Sequence, residues 1–207
     1  MPDHLGFDDI PTTILADVLR PVQVLASCIR PMWTSMPRIA GPAYTVRCAA
    51  GDNLMLHAAI YRAPPGCIVV VEGGDTNFAL AGGNVCAVAK RRGISGFVLD
   101  GSIRDIGEIR AIWFPVFARG VIPVAGAKEV PGTLQMPVRC GGVLIKPGDI
   151  VVGDEDGIIA VPSAARDSTF RVARQKLASE STQSMEAWEE DHRMRVEKIL
   201  SDREYHD

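Results

Sequence analysis

Three charged side chains, Arg104, Asp105 and Glu108, closely follow an apolar run that ends at Leu99. The run Gly96–Leu99 is typical of a buried strand, and helical spacing begins after Arg104, so the charges lie where a strand gives way to a helix. An arginine fork binds a carboxylate or carbonyl oxygen. Aspartate supplies the hard oxygen ligands that Mg²⁺ and Mn²⁺ prefer, and Glu108, on the same helical face, could hold metal-bound water. The cluster is a candidate site for a divalent metal and an anionic substrate.

A glycine-rich segment, Gly82-Gly83-Asn84-Val85, precedes another predicted helix. Ligands of parallel sheets bind beyond the carboxyl ends of the strands, and a helix N-terminus there offers unpaired N–H groups. Glycine also lets a ligand approach the backbone closely. The segment predicts an anion site suited to a carboxylate, but glycines that only permit a turn or close packing would give the same pattern.

The charged cluster has an alternative structural interpretation. Ser102 stands three residues before Asp105, which matches the capping-box pattern of a helix N-terminus. Arg104 and Glu108 are four residues apart and could form a surface ion pair. Spacing alone leaves capping and catalysis both open.

The elements that must position these residues alternate between strand and helix from residue 67 to residue 118. Such an order favours parallel strands joined by right-handed crossovers. The predicted elements are a first helix over 9–20 capped by Thr12 or Thr13, a strand over 43–48, a helix from Asp52, a strand over 67–71, a helix over 84–92 closed by Gly93, a strand over 96–100, a helix to about residue 112, a strand over 115–118, short strands over 142–162, and helical, highly charged sequence over 163–203.

The composition narrows the class of protein. The 207 residues carry a net charge of −3 and no basic stripe, so we expect neither a nucleic-acid partner nor a membrane partner. The acidic N-terminus, MPDHLGFDDI, lacks the apolar core of a signal peptide, and five widely spaced cysteines indicate reduced thiols, so a cytoplasmic location is expected. We expect one α/β domain over residues 1–162 and a C-terminal helical arm over 163–207 that packs on a neighbouring subunit or stands in solvent.

Other polar residues receive structural or open interpretations. Asp100, followed by glycine, is expected to fix a turn, and the acidic run 154–156 is expected to form a hairpin turn rather than a calcium site. Lys128 and Arg139 are possible pocket residues that the sequence does not place. The four histidines show no zinc spacing.

The run from Gly82 to Asp105 resembles the RraA-like proteins, which include class II 4-hydroxy-4-methyl-2-oxoglutarate/4-carboxy-4-hydroxy-2-oxoadipate aldolases and the regulator of ribonuclease activity A. The aldolases share a signature of Gly, twenty residues, Arg-Asp, two residues and an acid. Here Gly83, Arg104-Asp105 and Glu108 complete it. The resemblance covers about residues 9–175. It implies an α/β/β/α sandwich of the swivelling-domain type, assembled as a homotrimer or homohexamer with active sites at subunit interfaces.

The resemblance also implies a function and a role for each site residue. The backbone of Gly82 to Val85 would bind the carboxylate of pyruvate, Arg104 would contact the substrate, Asp105 would hold Mg²⁺ or Mn²⁺, and Glu108 would orient its waters. Glu180 is the candidate for an acid contributed by a neighbouring subunit. The expected activity is a metal-dependent lyase that cleaves 4-hydroxy-2-oxo acids to pyruvate and decarboxylates oxaloacetate through a stabilised pyruvate enolate. The alternatives are a regulator that binds a ribonuclease, or a lyase for another 2-oxo or hydroxy acid.

Overall fold

The computed structural model describes residues 6–205 of the chain. Within these residues one compact unit ends at Ala173 and a second begins at Arg174. Within the described residues the helices are α1 Thr12–Val18, α2 Leu54–Arg62, α3 Gly83–Arg91, α4 Ile106–Ala111, α5 Arg166–Thr182 and α6 Met185–Asp202. The strands are β1 Arg30–Pro31, β2 Ile39–Arg47, β3 Ile68–Glu72, β4 Ala79–Ala81, β5 Gly96–Ile103, β6 Val116–Val121, β7 Thr133–Leu134, β8 Val138–Cys140, β9 Val143–Ile145, β10 Ile150–Gly153 and β11 Ile158–Val161.

A mixed sheet of nine strands forms the centre of the first unit, in the order β1-β6-β5-β3-β2-β10-β11, with β4 paired to β5 and β7 to β2. Strands β2, β3, β5 and β6 run parallel, with Val70 opposite both Thr45 and Val98. This confirms the parallel pairing expected from the alternation of strands and helices. The β-branched run of β3 is buried on both faces, as strands between two layers require.

Two hydrophobic cores lie on opposite faces of these parallel strands. Val69 and Leu99 face the core that α2, α3 and α4 cover. Val70 and Val98 face the second core. It is covered by β10 and β11, where the sheet curls over itself, and by a separate two-stranded sheet of β8 and β9. The result is a helix layer, two β layers and further helical segments, as expected for an α/β/β/α sandwich.

Strand β5 is longer than expected and changes the interpretation of two residues. The sequence predicts a turn at Asp100, but β5 continues to Ile103, because β4 pairs with its second half. Gly101 is a strand residue against which Leu80 packs, since a Cβ there would lie 2.6 Å from Leu80 Cδ1. Ser102 also lies in the strand, and its hydroxyl donates to Thr76 O at 2.8 Å, so the predicted Ser102 cap is wrong.

The first helix begins at Thr12 but is not capped by Thr12 or Thr13. Its cap is supplied from far along the chain: Asp154 accepts hydrogen bonds from the Thr12 backbone N–H at 2.9 Å and from its hydroxyl at 2.5 Å. Asp154 also accepts from the Asp156 backbone N–H within the β10–β11 hairpin, which confirms the predicted hairpin turn.

The C-terminal helical segment begins on the first unit. Thr169 and Ala173 on α5 are buried, and the Phe170 ring lies 5.3 Å from the Phe7 ring. The first two turns of α5 therefore belong to the first unit, which ends at Ala173. None of the helices within residues 6–205 is long and apolar enough to cross a membrane.

Candidate functional site

The three charged residues of the candidate site lie at the carboxyl end of β5. Arg104 follows the strand, Asp105 is the N-cap residue of α4, and Glu108 lies in the first turn of that helix. Asp105 has left-handed backbone angles, with φ of 58° and ψ of 38°. Strained conformations of non-glycine residues cluster at functional sites, because the surrounding structure has to hold them.

Gly82 and Gly83 leave the space that these acids occupy. Gly82 is the N-cap of α3 and Gly83 its first residue. A Cβ on Gly82 would stand 2.5 Å from Asp105 Oδ2, and a Cβ on Gly83 would stand 2.0 Å from Glu108 Oε2. The glycines are therefore required for close packing, but what packs against them is the pair of candidate catalytic carboxylates.

A short hydrogen-bond network fixes the Asp105 carboxylate. Its Oδ2 atom accepts from the Gly83 backbone N–H at 3.1 Å and lies 3.3 Å from Arg104 Nε. The ion pair of Arg104 is thus with Asp105 rather than with Glu108 as the helix spacing suggested. The Gly83 amide, expected to face a substrate carboxylate, is engaged with Asp105, whereas Asn84 and Val85 occupy the first turn, where helix N–H groups have no helical acceptor.

A small cavity opens beside this network, and three residues from other parts of the chain line it: Asn53, His57 and Lys128. Gly82, Asn84, Val85, Arg104 and Asp105 line the same cavity. The volume of this cavity is about 60 Å³.

Asp52 brings Lys128 to the cavity. Its carboxylate accepts from the backbone N–H of Leu54 at 2.7 Å, Glu129 at 2.6 Å and Val130 at 3.0 Å. Burial opposes ionisation of Asp52, but these hydrogen bonds and the charge of Lys128 together lower its pKa. Asp52 therefore stays ionised and ties the loop after β6 to the start of α2.

Two cavity residues were not identified from the sequence. Asn53 is buried, its Nδ2 donates to Ala79 O at 3.1 Å, and its Oδ1 has no hydrogen-bond partner within the described residues. Burial, together with the charge of Lys128, lowers the pKa of His57 against a smaller opposing effect of Asp52, so its imidazole is neutral at neutral pH. The local sequence predicts only the start of a helix here. This segment becomes a wall of the cavity through its contact with residues 127–130, which are distant in the sequence.

The remaining candidates lie elsewhere. Asp100 accepts from the Gly141 backbone N–H at 2.8 Å and pairs with Arg119, and both line a separate cavity with Arg139. This network joins β8 to the sheet edge, so Arg139 does not reach the site around Asp105. Glu180 lies on α5 in the second unit, where its carboxylate pairs with Lys176 Nζ at 2.9 Å.

The donor set fits a hard divalent cation that keeps much of its water. Within residues 6–205 no group of three or more metal-binding side chains occurs, so a chelating cage is absent from this part of the chain. Asp105, with a side chain 36% exposed, presents one carboxylate at the cavity, and Glu108 stands beside it. One or two carboxylates plus waters are the usual protein share of a Mg²⁺ site.

Known proteins share this architecture. A model of the RraA-like family, described as Aldolase/RraA, matches residues 12–160. A protein of Halalkalibacterium halodurans named "Putative 4-hydroxy-4-methyl-2-oxoglutarate aldolase" is 42% identical over 84% of this chain and 83% of its own. A protein of Deinococcus radiodurans with the same name is 35% identical over 72% of this chain and 93% of its own.

A solved structure is also similar to this chain in both fold and sequence. It is described as "Structure of the RNA-processing inhibitor RraA from Thermus thermophilis", with a TM-score of 0.67 and 30% identity over 73% of this chain and 92% of its own. With a family model that spans most of the first unit, these matches settle the classification. The chain belongs to the RraA-like family.

Proposed function

We propose that the protein is a divalent-metal-dependent lyase that cleaves 4-hydroxy-2-oxo acids such as 4-hydroxy-4-methyl-2-oxoglutarate and releases pyruvate, and that also decarboxylates oxaloacetate. One observation carries the proposal: Arg104, Asp105 and Glu108 lie against Gly82 and Gly83 beside a cavity that Lys128 also lines. Two cations and two carboxylates beside a small cavity match an anionic substrate whose charge redistributes during the reaction. The names of the relatives support the same activity.

Different residues bind the substrate and transfer the proton during cleavage. Arg104 and Lys128 bind and orient the carboxylate and 2-oxo group, with the amides of Asn84 and Val85 as further donors. Glu108 accepts the proton of the C4 hydroxyl as the C3–C4 bond breaks. The electron pair of that bond passes to the pyruvate fragment as an enolate, while the C4 fragment leaves as a carbonyl compound. Return of the proton to C3 of the enolate gives pyruvate.

Asn53 supplies the remaining polar contact. Its buried Oδ1 is an acceptor without a partner in the described residues, and a hydrogen-bond donor in the occupied cavity would satisfy it. Cys86, which lies on α3, is no competing nucleophile, because burial raises the pKa of its thiol far above neutrality.

Asp105 would hold the metal, with Glu108 beside its water shell. A bound Mg²⁺ or Mn²⁺ supplies Lewis-acid stabilisation of the negative charge that develops on the 2-oxo oxygen. Because this role needs no covalent intermediate, the proposal requires no Schiff-base lysine.

The test is pyruvate release from oxaloacetate and from 4-hydroxy-4-methyl-2-oxoglutarate after chelation and after return of Mg²⁺ or Mn²⁺. We expect Asp105→Asn and Arg104→Met to lower kcat/KM by about 100-fold or more, while Arg110→Met stays near wild type. Arg110 is the matched control, an exposed arginine on α4 that lies six residues after Arg104. Absence of pyruvate from both substrates would refute the activity, and turnover of another 2-oxo acid in a wider panel would assign a different lyase.

A regulatory function is the second candidate, favoured by the likeness to the RNA-processing inhibitor from Thermus. In that case the chain would bind a ribonuclease through its surface, and Asp105→Asn would leave binding unchanged. Stoichiometric capture of a ribonuclease by the wild type and by Asp105→Asn alike would support it.

We further propose a homotrimer or homohexamer in the cytoplasm, with Glu180 of a neighbouring copy as the additional acid. The exposed position of Glu180 on α5 leaves it accessible to another chain. Five free cysteines, four of them buried, favour a reducing compartment. A Glu180→Gln chain mixed with an Asp105→Asn chain tests the shared site, because mixed assemblies would regain activity that neither variant has alone.

A further inference from the structure

Helix α6 carries an apolar stripe that no part of the described structure buries. Met185, Trp188, His192, Val196 and Ile199 are spaced by three, four, four and three residues, which places them on one face of the helix. Met185 is 71% exposed, Trp188 45% and Ile199 53%, and no residue of α6 is buried. A continuous exposed apolar face of this kind indicates an interaction surface.

The spacing of the stripe is symmetric about His192. Trp188 and Val196 stand four residues to either side of it, and Met185 and Ile199 stand seven residues to either side. A two-fold axis at His192 therefore superposes the stripe on itself with two helices running antiparallel. Trp188 then meets Val196 of the second copy, and Met185 meets Ile199 of the second copy, as a self-complementary two-fold contact requires.

We propose that α6 binds α6 of a second copy of this chain in an antiparallel pair centred on His192. The Trp188 ring stacks on the His192 ring at 4.7 Å, so two aromatic rings lie together at the centre of the stripe. Aromatic side chains contribute large contact area at low entropic cost. The inference does not depend on the proposed lyase activity.

The charges of α6 determine the direction of pairing. Four acids precede His192 in the helix, whereas three bases and two acids follow it: Glu186, Glu189, Glu190 and Asp191, then Arg193, Arg195 and Lys198 with Glu197 and Asp202. The first half of the helix thus has a net charge of −4 and the second half of +1. Antiparallel pairing sets opposite net charges together, whereas parallel pairing sets the two strongly acidic halves together. The same order of charges would also stabilise the dipole of a single helix. The proposal of a pair therefore rests on the apolar spacing, and the charges determine only the direction of the two helices.

The area of the contact sets its expected strength. The contact between two helices of 18 residues buries an area at or below the ~1,200 Å² of a stable interface, so the pair alone binds weakly. Between copies that another interface already assembles, several such contacts act together and become strong. Assembly through α6 should therefore double the copy number of whatever unit forms without it.

Sedimentation of the full chain over a range of concentrations tests the contact. We expect Ile199→Glu and Trp188→Glu each to halve the mass of the assembled species. Met194→Glu is the matched control, because Met194 is 55% exposed on the opposite face of the same helix. Circular dichroism checks that α6 stays helical, and an unchanged mass in both stripe variants would overturn the proposal.

Disulfide cross-linking tests the orientation in a Cys28→Ser background, which removes the exposed thiol. A Met185→Cys chain mixed with an affinity-tagged Ile199→Cys chain should link to each other on mild oxidation, and a Met194→Cys chain should link to neither. Linkage of Met185→Cys chains among themselves would show parallel pairing, and no linkage would show that another partner covers α6. Either result overturns the antiparallel pair.

Discussion

Replacing Gly83 by alanine should separate catalysis from stability. Gly83 is the first residue of α3, and its backbone suits alanine, which is favoured over glycine in a helix by up to about 1 kcal/mol. The added methyl would stand 2.0 Å from Glu108 Oε2 and 3.0 Å from Glu108 Cβ and Cδ. The carboxylate must therefore retreat by about 1 Å or more to reach an ordinary contact distance.

The two consequences of this retreat differ in size. Glu108 is exposed, so its side chain can swing into solvent, and the free energy of unfolding should stay within about 1 kcal/mol of wild type. A catalytic group displaced by about 1 Å costs on the order of 100-fold in rate. We expect kcat/KM for pyruvate release to fall by about that factor while the urea unfolding midpoint hardly moves.

Gly107 provides the matched control, since a Cβ there meets nothing within 4 Å. Gly107→Ala lies in α4, next to Glu108, and should leave activity unchanged with a gain in stability of up to about 1 kcal/mol. The reasoning fails if Gly83→Ala keeps its activity within twofold. It also fails if Gly83→Ala unfolds readily while Gly107→Ala does not, because Gly83 would then serve packing alone.

Three further predictions test the cavity and its support. Lys128→Met should raise KM for oxaloacetate by roughly 10- to 100-fold with a smaller change in kcat, since a charge-assisted hydrogen bond is lost; an unchanged KM would remove Lys128 from the site. The lowered pKa of His57 means that the unfolded chain binds a proton there more readily, so this residue's contribution to stability is present above the ordinary value of 6.5 and is lost as pH falls below it. His57→Gln should therefore weaken the loss of unfolding free energy between about pH 7 and about pH 5, and parallel curves for both proteins would refute the effect. Asp154→Ala should cost about 2 to 3 kcal/mol in chemical denaturation without loss of activity, because it leaves Thr12 without its acceptor, whereas Asp156→Ala should cost little.

The parallel core could be predicted because its signal is local. Residues 67–71 and 96–99 are short apolar runs, and the order of strands and helices between them leaves one simple topology. The length of β5 could not be predicted, because the segment after Asp100 becomes a strand only where β4 pairs with it. Likewise, the cap of α1 comes from Asp154, 142 residues away, where no local pattern marks it.

The residues of the candidate site also differ in whether a local sequence pattern marks them. Arg104, Asp105 and Glu108 could be singled out because they fall within five residues of one another, and their spacing from Gly83 completes a family signature. Asn53 and Lys128 are 75 positions apart, and the hydrogen bonds of Asp52 and of the backbone at Ala127 bring them together. Local sequence therefore singles out the acids of the candidate site, names Lys128 without placing it, and carries no signal for Asn53.

The conformation of Asp105 bears on the choice between an enzyme and a regulator. A left-handed aspartate costs of order 1 kcal/mol or more, and Asn or Gly would relieve much of that cost at a purely structural N-cap. Its carboxylate does not cap α4, since it makes no hydrogen bond to that helix, and it is instead held by the Gly83 amide and Arg104 beside the cavity. A surface that only docks on another protein has no use for a strained acid at the mouth of a cavity. The strain thus favours a chemical role for Asp105 over a docking role.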